Sequence, residues 1–590
     1  MTRTCNSKLP SSPPDVRFSA LTLAAAVLPL LLMGWGASAF AQTAPPGSIP
    51  GAGEVLRQLP PLVAPSPQAE AAAPLQPQRT APSPAQGANA RAVIAVKAIE
   101  ISGNTAFDTA TLKALVAAAE GSTQTWEQLE ALAQRVTTYY RAHGHPLASA
   151  YLPVQALSDG VLRIAVVEVV YARVEVLNNS RLKTAQIEAF AAALKPGQWV
   201  TQAPLDRTLL LLRELGGVEV TASARPGAQP NSTDLIITAV DAPRSSGMYA
   251  LDNQGSKATG RTRALGVVEF SNTLGLGDKI SAMALTAGEG MNYGRLDLQL
   301  PLNGSGTWAG LAYGQLQYVL GDVFSNLHAH GTAEVASGFV QQALVRTPHA
   351  TLNVEMRAEF KTLRDRVDSA STRNDRTVRS VTPELKGQLR DDVGGGANTS
   401  VVLGITTGYT RFDNAIALAV DQGAKGAHVR GHYQRLNLEL TRLQKLGNVP
   451  ALADTTLFAS LRVQAASTNL DASEQISVAG PQGVRGYDVN ALSGAQGYVA
   501  TLELRQRLAS SATSTWQAKA FADAAHVAVY KNVFSAVPNA ASISSLGLGL
   551  SWVAASAWNA ELVLARPVGA TPAIGMARNT RAWLFLSGRF

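Results

Sequence analysis

The chain has 590 residues, 46% of them hydrophobic, and a mean hydropathy of +0.05. This length exceeds one ordinary domain, and this hydropathy excludes a bundle of membrane helices, which needs several apolar runs of about 20 residues. The formal charge of +8 falls to +6 if a leader carrying three basic residues and one acidic residue is removed, a modest excess that suits a solvated pore or anionic lipid. Nucleic-acid binding needs a clustered basic patch instead, so no nucleic-acid partner is expected.

The one long apolar run, residues 18–33, follows Arg3, Lys8 and Arg17 and ends in Ala39-Phe40-Ala41. Charged start, short core and small-x-small ending predict a secretory signal peptide over 1–41, cleaved after Ala41. Cys5 lies inside it, so the mature chain is expected to have no thiol chemistry. Residues 42–92 are rich in Pro, Ala and Gln and cannot bury a core. Within them Gly53-Glu54-Val55-Leu56-Arg57-Gln58-Leu59 is helix-compatible, which predicts a short amphipathic helix followed by an extended linker.

Two α/β units come next. In 93–169 an alternating strand (96–101) and a turn at Gly103-Asn104 precede helical spacing in Leu112, Leu115, Val116 and in Leu129, Leu132, Ala133, Val136. Strands at 148–152 and 161–170 close the unit. Residues 170–242 repeat the order: strand 171–177, turn at Asn178-Asn179, helices 184–194 and 204–215, strands 218–224 and 234–240. A β-α-α-β-β order recurring after about 75 residues argues for tandem modules over a single enzyme domain.

Beyond Pro243 helical periodicity vanishes, and segments of about ten residues alternate apolar with polar between Gly, Asn, Asp and Ser. In 352–361 every even position is apolar and every odd one polar; 296–302, 436–440, 457–465, 500–504 and 582–590 behave similarly. Such a stretch is too long for a single soluble sandwich. At about 20 residues per strand and connection, 244–590 accommodates a transmembrane β-barrel of roughly sixteen antiparallel strands with an open lumen. Phe590 ends the last alternating strand, the position of an assembly signal in outer-membrane barrels.

Near Trp516, Ala518, Ala520 and Ala522 the even positions are apolar and face lipid, so Gln517, Lys519, Phe521 and Asp523 point into the lumen. About 30 residues separate the strands near 457–465 and 500–508. An arm of about 15 residues at about 3.3 Å each can cross a hydrocarbon layer of about 30 Å and return. That insertion carries Gly480-Pro481, Gly483 and Val484-Arg485-Gly486-Tyr487.

With these residues the mature chain resembles the two-partner secretion transporters, the haemolysin secretion and activation family. The first unit resembles its POTRA 1 domain through Gly103-Asn104-Thr105, Phe107, Tyr140-Arg141-x-x-Gly144, Tyr151-Leu152-Pro153-x-Gln155, Gly160 and Glu168. His145 departs from the usual aromatic, and with His143 it lacks further ligands for a metal. POTRA 2 matches through Asn178-x-Ser180, Pro196-Gly197, leucine-rich 209–215, Gly217-Val218 and Pro226-Gly227, with Ser180 or a neighbour expected to hold a helix N-terminus. Leu251-Asp252-Asn253-x-Gly255 and Thr259-Gly260-Arg261 resemble the family's first barrel strand and turn.

The resemblance implies a plug helix, two periplasmic POTRA domains, and a sixteen-stranded outer-membrane barrel whose sixth extracellular loop folds into the pore. Val484, Arg485, Gly486 and Tyr487 match the loop tip, and Phe521-x-Asp523 the wall motif whose aspartate pairs with the loop arginine; Ala525 replaces the family's glycine. It implies export, with or without activation, of a large secreted exoprotein, with Tyr140, Arg141, Tyr151, Leu152, Pro153 and Gln155 as substrate-contact candidates. Outer-membrane lipid and the barrel-assembly machinery are further expected partners, and no cofactor, metal or catalytic residue is expected. The chain lacks a G-x-x-x-x-G-K-[ST] loop and a G-x-S-x-G nucleophile motif, and His328 and His330 read as a loop or turn. An outer-membrane insertase is the alternative function.

Overall fold

The computed structural model describes residues 49–60, 93–155, 159–447, 449–534, 536, 538–570 and 579–590. The expected signal peptide, with Cys5, and the linker beyond residue 60 lie outside the described residues. Helix α1, Ala52–Leu56, begins one residue before the expected segment and ends three residues before its end. Pro60 restricts the residue ahead of it, and Arg57 to Leu59 close the segment as a turn.

The first α/β unit comprises β1 (Val93–Val96), β2 (Ala98–Ser102), α2 (Thr109–Ala114), β3 (Ser122–Thr125), α3 (Trp126–Ala142), β4 (Ser149–Tyr151) and β5 (Val161–Val167). The single strand expected at 96–101 breaks at Lys97, because the N–H groups of Lys97 and Ala98 both donate to the Gly160 carbonyl, at 2.7 and 3.3 Å. Strand β3 was not expected; its polar residues form a strand only because β1 lies antiparallel beside it. Helix α3 starts with a capping box, Thr125 and Gln128, and buries Leu129, Leu132, Ala133, Val136 and Tyr140.

The second unit holds β6 (Val170–Asn179), α4 (Thr184–Ala191), α5 (Gln202–Arg213), β7 (Val218–Pro226) and β8 (Ser232–Asp241). In both units the closing strand lies in the middle of a three-stranded sheet, parallel to an earlier strand: β2-β5-β4 and β6-β8-β7. The repeat read from element order is thus a repeat of topology. Contrary to the expectation that Ser180 or a neighbour holds the N-terminus of α4, Lys183 is the N-cap residue and no side chain caps the helix. Instead Asn178 organises the turn, accepting from Ser180 N–H at 3.0 Å and donating to the Leu182 carbonyl at 2.6 Å.

Sixteen antiparallel strands, from Ser245–Asp252 to Arg581–Arg589, close into a barrel. The last strand pairs with the first, and Phe590 and Gly247 exchange backbone hydrogen bonds of 3.0 and 3.1 Å at the seam. A Cβ at Gly247 would meet the Phe590 ring at 2.4 Å, so glycine makes room for the terminal aromatic. The alternation has the expected phase. Val354, Met356 and Phe360 are exposed on the outer face, whereas Glu355 and Lys361 are buried in the lumen. His330 lies in strand Ala329–Arg346 rather than a turn; His328 ends the preceding 3-10 turn.

The second unit packs on the base of the barrel. Trp308 and Ala343 belong to its hydrophobic core, Arg346 pairs with Glu214 at 2.5 Å, and Arg207 donates to the Ala343 carbonyl at 2.7 Å. Aromatic pairs Trp516–Trp552 and Tyr249–Trp558 mark this end of the wall.

Candidate functional site

The insertion between strands Thr455–Ala466 and Gln496–Ser510 folds back into the barrel. Its tip is buried: Val484 and Tyr487 join Val478, Leu492, Val499, Ala525, Val527 and Ile543 in one apolar cluster. Ala525, standing where the motif carries glycine, contributes its methyl group to that cluster.

Arg485 reaches the wall as the parity argument expected. Its Nε and Nη2 donate to the two oxygens of Asp523 at 3.0 and 2.7 Å, and its own backbone N–H adds a third bond of 3.1 Å. A planar guanidinium matched to a carboxylate in this bidentate way fixes orientation as well as distance. Thr501 and Ser545 each donate to Asp523 at 3.0 Å. The third guanidinium nitrogen, Nη1, donates to Glu503 at 2.5 Å, and Arg505 pairs with the other oxygen of Glu503. The guanidinium lies 3.4 Å from the Phe521 ring centroid. Trp583, on the last strand, donates to the Arg485 carbonyl at 2.8 Å.

Glycines allow this close fit. A Cβ on Gly486 would lie 2.8 Å from Ser545 Cβ and 2.9 Å from Pro567 N, and one on Gly547 would strike the Phe521 ring at 2.2 Å. All six sequence-predicted residues of the tip and wall motif are therefore brought together. Glu503, Thr501, Ser545, Arg505 and Trp583 complete the site without having been singled out. Thr501, Glu503 and Arg505 share the lumen-facing parity of their strand, but so do many other residues.

A second set of contacts holds the near arm of the loop. Asp471 pairs with Arg376 at 2.5 Å, and Glu474 pairs with Lys361 at 2.6 Å and Arg435 at 3.1 Å. Helix α1 lies against this arm. Ala52 N–H donates to Asp365 at 2.7 Å, and Asp365 also pairs with Arg376. Asn490 donates to the Glu54 carbonyl at 2.6 Å, Arg57 to Ser493 at 3.2 Å, and Arg263 to the Gln58 carbonyl at 2.9 Å. The helix and the in-folded loop thus brace each other inside the lumen.

In the first α/β unit the motif residues meet around Glu168. This carboxylate accepts from Thr105 N–H and Ala106 N–H at 2.8 Å each, from Tyr140 Oη at 2.7 Å, and from the Thr105 hydroxyl. Burial opposes its ionisation, but the donated hydrogen bonds prevail and hold its pKa below the usual carboxylate range. Phe107 packs edge-on against Tyr140 and His145, and His145 reaches Trp199 of the second unit. Burial lowers the His145 pKa, and His143 Nδ1 lies 2.8 Å from the Tyr139 carbonyl.

Tyr140 is fully buried, which corrects its assignment as a substrate contact: it fastens α3 to the Gly103–Phe107 turn. Arg141 and Tyr151 are exposed and Leu152 and Pro153 half-buried, while Gln155 bonds the backbone of Arg163 at 2.7 and 2.9 Å. Glu168→Ala removes the acceptor of four donors, among them the buried Tyr140 hydroxyl, so it is expected to destabilise this unit by about 3 kcal/mol, read as roughly 100-fold faster amide exchange in residues 98–107. Because the folded carboxyl titrates below its unfolded value, the wild-type unit keeps this stabilisation at neutral pH and loses it as pH falls through the acid range; Glu168→Ala removes that dependence.

A closed barrel with a polar lumen, occupied by a re-entrant loop and preceded by paired α/β modules, defines an outer-membrane protein-transport pore. A family model described as haemolysin secretion/activation protein ShlB/FhaC/HecB matches residues 231–551, and one described as POTRA domain, ShlB-type, matches residues 94–168. The chain belongs to the ShlB/FhaC/HecB haemolysin secretion/activation family. The heme/hemopexin transporter protein HuxB of Haemophilus influenzae is 23% identical over 445 residues, 75% of this chain and 77% of that one. The outer membrane transporter CdiB of Dickeya dadantii is 24% identical over 390 residues, 63% and 65% of the two chains. The solved structure of CdiB from Escherichia coli superposes with a TM-score of 0.65 at 19% identity, covering 88% of this chain and 94% of that one. Membership makes the chain a two-partner secretion transporter, with its barrel in the outer membrane and its POTRA domains in the periplasm, and sets aside the insertase alternative.

Proposed function

We propose that an unfolded partner exoprotein is captured by POTRA 1 and passes through the barrel once α1 and the in-folded loop give way. β4 is an edge strand of its sheet, with Tyr151 exposed, and offers backbone groups to which an extended segment can add; Arg141, Leu152, Pro153 and Gln155 flank it. Folding at the cell surface, rather than nucleotide hydrolysis, drives export. The heme/hemopexin in the name of HuxB belongs to that relative; for this chain the cargo class is a large secreted exoprotein. No catalytic step is assigned. The last strand with Phe590 serves the barrel-assembly machinery during insertion, and the apolar outer face contacts lipid.

The observation that carries this reading is how the lumen is filled. Its obstructing elements are fastened by ion pairs and hydrogen bonds, Ala52 to Asp365, Asp471 to Arg376 and Arg485 to Asp523, which water can replace when the elements leave, beside apolar contacts of Ala52, Val55, Val484 and Tyr487. Deleting residues 42–60 is expected to raise the conductance of the purified protein in planar bilayers. A deletion variant with the same small conductance as wild type would count against plugging by α1.

A further inference from the structure

The outer wall of the barrel is not uniform. Across strands Thr307–Val319, Ala329–Arg346, Ala350–Val367, Thr372–Asp391 and Ala397–Phe412, one row of neighbouring outward residues reads Leu311, Gly338, Ala358, Val381, Thr407. The next row toward the extracellular rim reads Tyr313, Ala336, Phe360, Arg379, Tyr409. Gly338, Ala358 and Ala336 are small, so they floor a groove walled by Leu311 on one side and by Phe360 and Val381 on the other. A Cβ at Gly338 would lie 3.2 Å from the tip of Leu311 and 3.7 Å from the Gly310 carbonyl oxygen, so a side chain there takes up space at the floor beside Leu311.

Arg379 stands at the outer end of this groove. Its guanidinium lies 5.1 Å from the Phe360 ring centroid, and it has no carboxylate partner among the described residues. Three neighbouring arginines of this rim are neutralised, Arg364 by Glu334, Arg366 by Asp375 and Arg411 by Asp413, whereas Arg373, further out on the strand of Arg379, has no ion pair among the described residues. The level is also informative. On its own strand the outward positions include Leu389, Leu385, Val381 and then Arg379, ten residue steps from Leu389, which in a strand tilted about 40° rises about 25 Å, the height of the apolar band. Arg379 therefore sits where hydrocarbon meets headgroups in the outer leaflet. A cation there, without a counter-charge and above an apolar groove, calls for an anionic amphiphile.

We propose that this groove binds one molecule of lipid A, an acyl chain lying over Gly338 and Ala358 and a phosphate against Arg379. The extracellular position selects lipid A over a phospholipid, because the outer leaflet is where phosphorylated lipid A resides.

Native mass spectrometry of the full chain in detergent, titrated with diphosphoryl lipid A, tests the assignment. One lipid A adduct is expected on wild type, weakened about tenfold by Arg379→Gln, which removes the charge-assisted bonds, and similarly by Gly338→Leu, which fills the floor. Arg364→Gln, at a rim arginine that already holds a carboxylate, is expected to bind as wild type does. Heat-modifiable electrophoretic mobility verifies that each variant is a folded barrel; should Gly338→Leu not fold, Arg379→Gln decides. Undiminished lipid A binding by Arg379→Gln overturns the proposal. So does displacement of lipid A by equal concentrations of phosphatidylglycerol or inorganic phosphate.

Discussion

Asp523→Asn is expected to lower secretion of the partner protein at least tenfold while leaving the barrel folded in the membrane. Asp523 accepts five hydrogen bonds, three from Arg485 and one each from Thr501 and Ser545. An asparagine offers one acceptor oxygen and turns an N–H2 group toward donors that need acceptors. Arg485 would then remain buried with Glu503 as its sole carboxylate. Breaking such a buried pair from one side destabilises by about 3 to 5 kcal/mol, enough to shift the seated tip by a factor of about a hundred or more. Arg485→Lys keeps the charge but loses the fork, so a smaller defect is expected from it. The measurements are partner protein in the medium and protease cleavage within residues 484–487 on intact cells. Full secretion together with full protection of the tip would sink the pinning role.

Gly53→Val is expected to drive α1 out of the lumen and raise single-channel conductance to the level of the 42–60 deletion. A Cβ at this position would lie 2.6 Å from the backbone N of Ser473 and 3.2 Å from both Ala472 C and Asp471 Oδ1. Those atoms belong to the 3-10 turn Ala472–Glu474 and its cap, which Arg376 and Lys361 tie to the wall, so they cannot retreat cheaply. A helix of five residues has little stability of its own, and a clash of this kind removes its reason to stay. Gly53→Ala should give an intermediate open probability, and an unaltered conductance in both variants would show that the helix accommodates the loop in another way.

The wall of the barrel was legible because a two-residue period declares which side of a strand is wet. Asp523 could be aimed into the lumen from the apolar residues at 516, 518, 520 and 522 alone. The resemblance supplied Arg485 as its partner. What could not be read was which other lumen residues meet the tip. Glu503 and Ser545 lie on neighbouring strands beside Asp523, at heights set by the stagger of the closed sheet, and no local pattern encodes that stagger. The same limit hid Asp365, Arg376 and Asp471, whose meeting depends on opposite parts of the chain converging inside the cylinder. In the periplasmic domains helix spacing located α3 and α5, but β3 formed against its polar composition because β1 needed a neighbour. Trp308 read as a barrel residue, and its membership of the POTRA 2 core is a tertiary fact.

Helix α1 stands near the start of the chain, yet the groups that receive it come 313 residues later, at Asp365, and 436 residues later, at Asn490. Contacts this distant in sequence form late, since the intervening polypeptide must first be ordered. On the proposed plugging by α1, a freshly inserted molecule is expected to pass through an unstoppered stage, and its permeability to small solutes during biogenesis should decay on the timescale at which the amino-terminal segment finds its berth.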